Sequence, residues 1–182
     1  KFENLQDDYK VIQDKFDLPE LCHINENYKK PKNIKKLDFY DKYAIEYVNK
    51  NYAMDFKYFG YKMYLFDIVI PLGPNDIEQI YSQIEYTKKN VIGYRNIYII
   101  SYDPSLKIDG CITIPEHIFP FNKQTIINFH GRQPKNGWFL QQLLKFYAGL
   151  CIPDLMNRYL VIDSDTFFLK PTIFIENGKC LY

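Results

Sequence analysis

The sequence predicts an α/β protein whose strands form a mostly parallel sheet flanked by helices. Three observations predict it. Leu65–Pro71 and Asn96–Ser101 are nearly continuous apolar runs, the pattern of strands buried on both faces. The stretch between them has helical periodicity, which makes a strand–helix–strand unit with an expected right-handed crossover. A third run, Arg158–Ile162, leads straight into Asp163-Ser164-Asp165.

A chain of 182 residues is one domain, or one domain with an appendage. Hydrophobic residues at 47% and charged residues at 25% describe a folded globule and exclude a largely disordered chain. Lys and Arg number 23 against 22 Asp and Glu, so no partner held by bulk positive charge, and hence no nucleic acid, is expected. The four cysteines (Cys22, Cys111, Cys151 and Cys180) form no CxxC pair and lie apart from the three histidines, which argues against zinc. Dispersed thiols fit the cytoplasm or another reducing compartment. No apolar run is long enough to span a membrane, and no signal peptide is visible. The chain opens on Lys1, as an excised piece would.

Residues 1–62 are expected to form a helical or looped appendage, a candidate surface for a protein contact, and residues 63–182 the α/β body. Lys29–Lys36 is a basic, proline-broken stretch expected to be a solvated loop. Phe39, Tyr40, Tyr43, Ala44, Tyr47 and Val48 recur at helical spacing and predict a helix that packs on the body. After the first strand, Leu72–Asp76 is a turn in which Asn75 can cap the next helix and Glu78 can close a capping box. Ile77, Ile80, Tyr81, Ile84, Thr87 and Val91 would share one helical face. Cys111–Pro115 is a third strand. The stretch from Glu116 to Asn136 reads as loop, marked by Pro120, Gly131 and Pro134. A helix starts near Gly137-Trp138 and ends about Gly149, with Phe139, Leu140, Leu143, Leu144 and Tyr147 on its apolar side. Apolar runs on either side of Asn177-Gly178 predict a hairpin.

The chemistry concentrates after Ile162. Ligands of open α/β sheets bind beyond the carboxyl ends of the strands. In extended chain, residues i and i+2 point the same way, so Asp163 and Asp165 would face one site. Two adjacent carboxylates repel unless a cation lies beside them, and a hard divalent ion such as Mn²⁺ or Mg²⁺ answers that need. Phosphatases of the haloacid-dehalogenase type also carry D-x-D after an apolar strand. Their pattern asks for Thr or Val two residues after the second Asp, where this chain has Phe167, and it opens their fold rather than following a strand–helix–strand unit.

Three blocks together carry a family resemblance. They are Phe66–Pro71, Gly137–Lys145 (GWFLQQLLK) and Tyr159–Leu169 (YLVIDSDTFFL). With them the chain from Tyr64 to Tyr182 resembles the nucleotide-binding half of a GT-A glycosyltransferase, a Rossmann-like fold. It is similar in particular to an uncharacterised group of glycosyltransferase-like proteins of bacteria and giant viruses. The resemblance implies a nucleotide-diphospho-sugar donor, usually a UDP-sugar, held through Mn²⁺ or Mg²⁺, and an acceptor that is a glycan, protein or lipid. Asp165 would bind the metal, and Asp163 would contact ribose or sugar or reach the metal through water. Pro71, Leu72 and Gly73 would line the nucleoside pocket, and Asp103 would contact uracil or ribose. Trp138 and Gln141 would lie near the sugar, and Arg132 or Lys145 would add positive charge at the diphosphate. The resemblance also implies a fold cut short after the D-x-D strand.

Plainer roles stand beside these. Trp138 would fill the helix–sheet core, Gln141 and Arg132 would face solvent, Lys145 would snorkel along its helix, and Gly73 would merely permit a turn. The loop at Gly131-Arg132 would become ordered over a ligand. Two other functions compete. One is a non-catalytic binding or scaffolding module with the same fold. The other is a sugar-1-phosphate nucleotidyltransferase, disfavoured because Pro71–Asn75 has one glycine and no basic residue.

Overall fold

The computed structural model describes residues 5–20, 41–176 and 179–181. The predicted loop at Lys29–Lys36, the residues Cys22, His23, Phe39 and Tyr40, and the turn Asn177-Gly178 lie outside them. Helices α1 (Leu5–Phe16), α2 (Lys42–Asn51) and α3 (Ala53–Phe59) precede strand β1 (Phe66–Leu72) and a 3-10 turn at Pro74–Asp76. Then come α4 (Ile80–Asn90), β2 (Val91–Ile92), β3 (Tyr94–Ser101), β4 (Ile112–Pro115) and a 3-10 turn at Glu116–Ile118. Helices α5 (Lys123–His130) and α6 (Asn136–Cys151), strand β5 (Tyr159–Val161) and the short strands β6 (Thr172–Ile173), β7 (Ile175–Glu176) and β8 (Lys179–Cys180) complete the described chain.

The central sheet has the order β4-β3-β1-β5, and each neighbouring pair is parallel. All seven residues of β1 are buried, as its apolar run requires. Phe66, Ile68, Ile70 and Leu72 point into one layer with Ile97 and Ile99 of β3 and Ile80 and Ile84 of α4. Val69 points the other way, with Tyr98 and Ile100, against Ile126 of α5 and Leu140, Leu144 and Ala148 of α6. Helices thus cover both faces, and the α/β body is Rossmann-like. From β1 the chain steps one way, through α4, to β3 and β4. It then returns through α5 and α6 to β5 on the opposite side of β1. The gap between β1 and β5 is therefore the topological switch point, where crevices open in such sheets.

The amino end of β1 is tied by ionic bonds. Asp67 is fully buried and accepts from Arg95 Nε at 3.0 Å and Arg95 Nη2 at 2.7 Å. It also accepts from the backbone N–H groups of Asn96 at 3.0 Å and Met156 at 2.8 Å. Arg95 Nη1 reaches Asp154 at 3.1 Å. Burial alone would lower the Arg95 pKa, but the hydrogen bond and charge of Asp67 outweigh it and raise it instead.

Several local expectations are corrected. Stretch 116–136 contains α5, whose N-terminus carries a reciprocal capping box between Asn122 and Thr125. The predicted Asn75–Glu78 box does not form, because Asn75 lies inside the 3-10 turn and α4 starts only at Ile80, without a side-chain cap. On α4 Tyr81 is exposed, and Gln83 and Asn90 are buried in its place. Helix α2 does pack on the body, but through Ile45; Tyr43 and Tyr47 face outward. Lys42 Nζ reaches the Leu155 carbonyl at 3.3 Å, and Asn157 Nδ2 reaches Glu46 at 3.3 Å. The hairpin forms as β7 and β8, paired antiparallel. Strands β2 and β6 add a parallel pair that the sequence pattern does not announce.

Cys111 packs against the β1–α4 layer, and burial pushes its thiol up from 9.0 to about 11. An acid whose pKa rises on folding adds stability that is full below pH 9.0 and lost as the pH climbs towards 11. At pH 8 only about one such thiol in a thousand is thiolate. Iodoacetamide at pH 8 is therefore expected to alkylate exposed Cys180 at least about tenfold faster than Cys111, read peptide by peptide in a mass spectrometer. Equal rates would show that Cys111 is not buried.

Candidate functional site

The switch point is walled by two turns. Strand β1 ends in the buried Pro71 and Leu72, and Gly73 follows in extended backbone, with φ −77° and ψ 157°. That conformation suits any residue, so Gly73 is not what permits the turn. Pro74 starts the 3-10 turn, where its fixed φ and missing N–H cost nothing. The Asp76 N–H closes the turn onto the Gly73 carbonyl at 3.2 Å.

The second turn follows β5. The Ile162 N–H donates to the Val69 carbonyl at 3.1 Å, which carries the pairing with β1 one residue past the strand. The chain then bends, and the Thr166 N–H donates to the Asp163 carbonyl at 3.1 Å. The Asp163-Ser164-Asp165 segment is thus a turn rather than extended chain. The i, i+2 argument for a shared direction does not apply to it, because the pleat has already ended.

The three side chains of the turn differ in their partners. Ser164, only 1% exposed, donates its hydroxyl to Asp76 Oδ2 at 2.6 Å, and Gln79 Nε2 donates to Asp76 Oδ1 at 3.0 Å. Asp163 Oδ1 accepts from Lys145 Nζ at 2.5 Å; the carboxylate is 49% exposed and the lysine side chain 21%. Asp165 is exposed and has no hydrogen bond or ion pair among the described residues. Beyond the turn, Gln83 Nε2 of α4 donates to the Thr166 carbonyl at 3.0 Å, Asn90 Nδ2 donates to the Phe168 carbonyl, and Tyr86 meets Phe167 edge-on at 5.6 Å.

The other predicted residues are Asp103, Trp138, Gln141 and Arg132. Asp103 follows β3, on the side of β1 away from β5. Its carboxylate closes its own turn, accepting from the Ser105 hydroxyl at 2.6 Å and the Ser105 N–H at 2.9 Å, and these bonds lower its pKa, the hydroxyl first. Trp138 is 55% exposed, in the first turn of α6 and edge-on to Phe139. It does not fill the core. Gln141 is half-buried on the same helix, and Arg132 is exposed in the α5–α6 connection. Among the described residues no hydrogen bond, ion pair or ring contact joins Arg132, Trp138 or Gln141 to the carboxylate turn. The connection carries side-chain bonds of its own. Asn136 Nδ2 donates to the Gly131 carbonyl at 2.8 Å and Gln133 Nε2 to the His130 carbonyl at 3.0 Å. Gly131, with φ +70° and ψ −178°, holds a conformation essentially confined to glycine.

Sequence reasoning missed Asp76 and treated Ser164 as a spacer. The available signal was an acid three residues past the strand-ending glycine, at the end of the strand that neighbours the D-x-D strand.

The donor chemistry suits a hard divalent cation. Asp165 offers a free carboxylate, and Asp163 keeps Oδ2 without a partner among the described residues. Mg²⁺ and Mn²⁺ are commonly bound by one or two carboxylates, with waters and substrate phosphates completing the shell. Among the described residues no three His, Cys, Asp or Glu side chains converge into a metal-holding group, so this chain would supply that smaller set. None of its described helices is long and apolar enough to cross a membrane. Compared with protein-family models, curated proteins and solved structures, the chain matches none.

Proposed function

We propose that this chain is a metal-dependent GT-A glycosyltransferase domain, or its donor-binding half, and that it binds a nucleotide-diphospho-sugar, a UDP-sugar first among them. The observation that carries the reading is a turn with two carboxylates, one of them free, at the carboxyl end of β5 beside the β1–β5 switch point. A doubly wound sheet binds nucleotides at that place.

In this reading Asp165 and Asp163 hold Mn²⁺ or Mg²⁺. The ion, when bound, neutralises the diphosphate as it leaves and acts as Lewis acid and template. The chain's own residues do the rest. Gly73, half-buried at the end of β1, borders the nucleoside pocket, and the buried Pro71 and Leu72 support it from beneath. Lys145 keeps a positive charge beside Asp163, where it limits repulsion between the acids and adds to the attraction for a diphosphate. Trp138 and Gln141, on the exposed side of α6, remain available to a sugar, and Arg132 to an anionic group. The acceptor is a hydroxyl of a glycan, protein or lipid.

Titration calorimetry of the chain with UDP, GDP and CMP, each with and without Mn²⁺, tests this. The expected result is heat of binding for UDP that appears only with the metal. Heat that is absent for all three, or indifferent to the metal, would overturn the reading. Metal-dependent binding of UDP without turnover of any UDP-sugar would leave a binding module in place of an enzyme.

A further inference from the structure

Asp76 and Ser164 have no place in the donor-binding scheme above, yet they join its two walls. The two residues are separated by 88 positions, and their hydroxyl–carboxylate bond of 2.6 Å links the β1 and β5 turns. Ser164 is buried in a segment whose neighbours Asp163 and Asp165 reach solvent, so its side chain is the inward anchor of the turn. A hydroxyl donating to a carboxylate is a charge-assisted bond, stronger and more directional than one between neutral groups. Gln79 holds the second Asp76 oxygen and thereby fixes the carboxylate plane. Helix α4 continues the grip downstream, with Gln83 on the Thr166 carbonyl and Asn90 on the Phe168 carbonyl.

We infer that Asp76 is a positioning residue: through Ser164 it holds the Asp163–Asp165 turn in the form that binds a divalent cation together with a nucleoside diphosphate. This rests on the proposed donor-binding reading. Turns exchange among backbone conformations unless side chains tie them, and a metal that takes only one or two protein ligands gains much from having them already placed. Partners that orient ligating carboxylates typically change metal affinity by about 10- to 100-fold when removed. Asp76 contacts neither the metal nor the donor in this scheme, and its effect passes through the Ser164 hydroxyl.

The test uses the full chain as Asp76→Ala, Asp76→Asn and Ser164→Ala variants. Two quantities are read: hydrogen exchange of the Thr166 amide without ligand, and the calorimetric Kd for UDP in saturating Mn²⁺. Asp76→Ala and Ser164→Ala are expected to speed exchange and weaken UDP binding by about 10- to 100-fold. Asp76→Asn keeps an acceptor for the Ser164 hydroxyl but loses the charge, so its affinity is expected to recover to a value between those of Asp76→Ala and the parent. Faster exchange with unchanged affinity would make the bond a structural tie only and overturn the inference while leaving the donor-binding reading intact. Failure of the asparagine variant to recover would also overturn it. A parent chain that binds no UDP with Mn²⁺ would remove the reading itself, and the inference with it.

Discussion

Replacing Asp67 with alanine is expected to lower the free energy of unfolding by about 3–5 kcal/mol. The carboxylate has no exposed surface, and both its oxygens are saturated by two bonds from Arg95 and by the N–H groups of Asn96 and Met156. Truncation leaves a guanidinium almost without access to water and strips two buried N–H groups of their acceptor. Breaking a buried pair from one side is costly for that reason, even where the intact pair adds little net stability. Asp154 keeps two bonds to Arg95, from Nη1 to its carboxylate at 3.1 Å and from Nη2 to its backbone carbonyl at 2.5 Å, but its side chain is 52% exposed and cannot replace the lost charge at the Asp67 position. Urea denaturation followed by circular dichroism measures the effect. A loss below about 1 kcal/mol would mean that water reaches the guanidinium. Asp67 lies at the end of β1 opposite the carboxylate turn, so under the proposed function a variant that still folds should bind nucleotide as the parent does.

Replacing Asp165 with alanine is expected to have the converse profile. The side chain is exposed and without a partner among the described residues, so stability should change by no more than about 0.5 kcal/mol. Under the proposed function the same change removes the carboxylate of the turn that no described group neutralises. Metal-dependent UDP binding is then expected to fall below detection, and with it any rise in melting temperature caused by UDP plus Mn²⁺. Lys145→Met gives the matching control: it frees Asp163 Oδ1, so Mn²⁺ alone should bind at least as well while UDP binds more weakly. If Asp165→Ala leaves the UDP response intact, the metal does not sit on this turn.

The parts of this molecule that the sequence announces are those where one force dominates. Strands β1 and β3 are buried on both faces, so their residues are apolar without interruption and the pattern is unambiguous. The sixteen residues of α6 are equally plain as a helix, with Leu140 and Leu144 buried as expected, although Tyr147 is exposed and Ala148 is buried in its place. Helix α5 is hard to read because it has only eight residues, with β-branched Thr125, Ile126 and Ile127 that weaken helical propensity; its signal is the pair Asn122 and Thr125. For α2 the period was right and the phase wrong. Tyrosines bury well in general, but here polar Lys42 and Asn157 fix which side faces the body.

The carboxylate pair was legible as chemistry at the end of a strand. Its local geometry was not, because strand β5 ends at Val161 and the bend that follows is set by Asp76, a residue in another part of the chain. Long-range side-chain bonds leave no periodic trace, and Trp138 shows the same limit from the other direction. An aromatic on a helix reads as core until the neighbouring elements are known to leave that side open.

The separation between partners in the chain carries a kinetic meaning. Arg95 meets Asp67 across 28 residues, whereas Met156 meets Asp67 across 89 and Ser164 meets Asp76 across 88. Closing the longer loops costs about 1 kcal/mol more entropy than closing the shorter one. During folding the β1–α4–β3 half is therefore expected to associate first and β5 to dock afterwards. The β1–β5 junction would be the last region to be assembled, so any ligand bound there reports on chains that have finished folding.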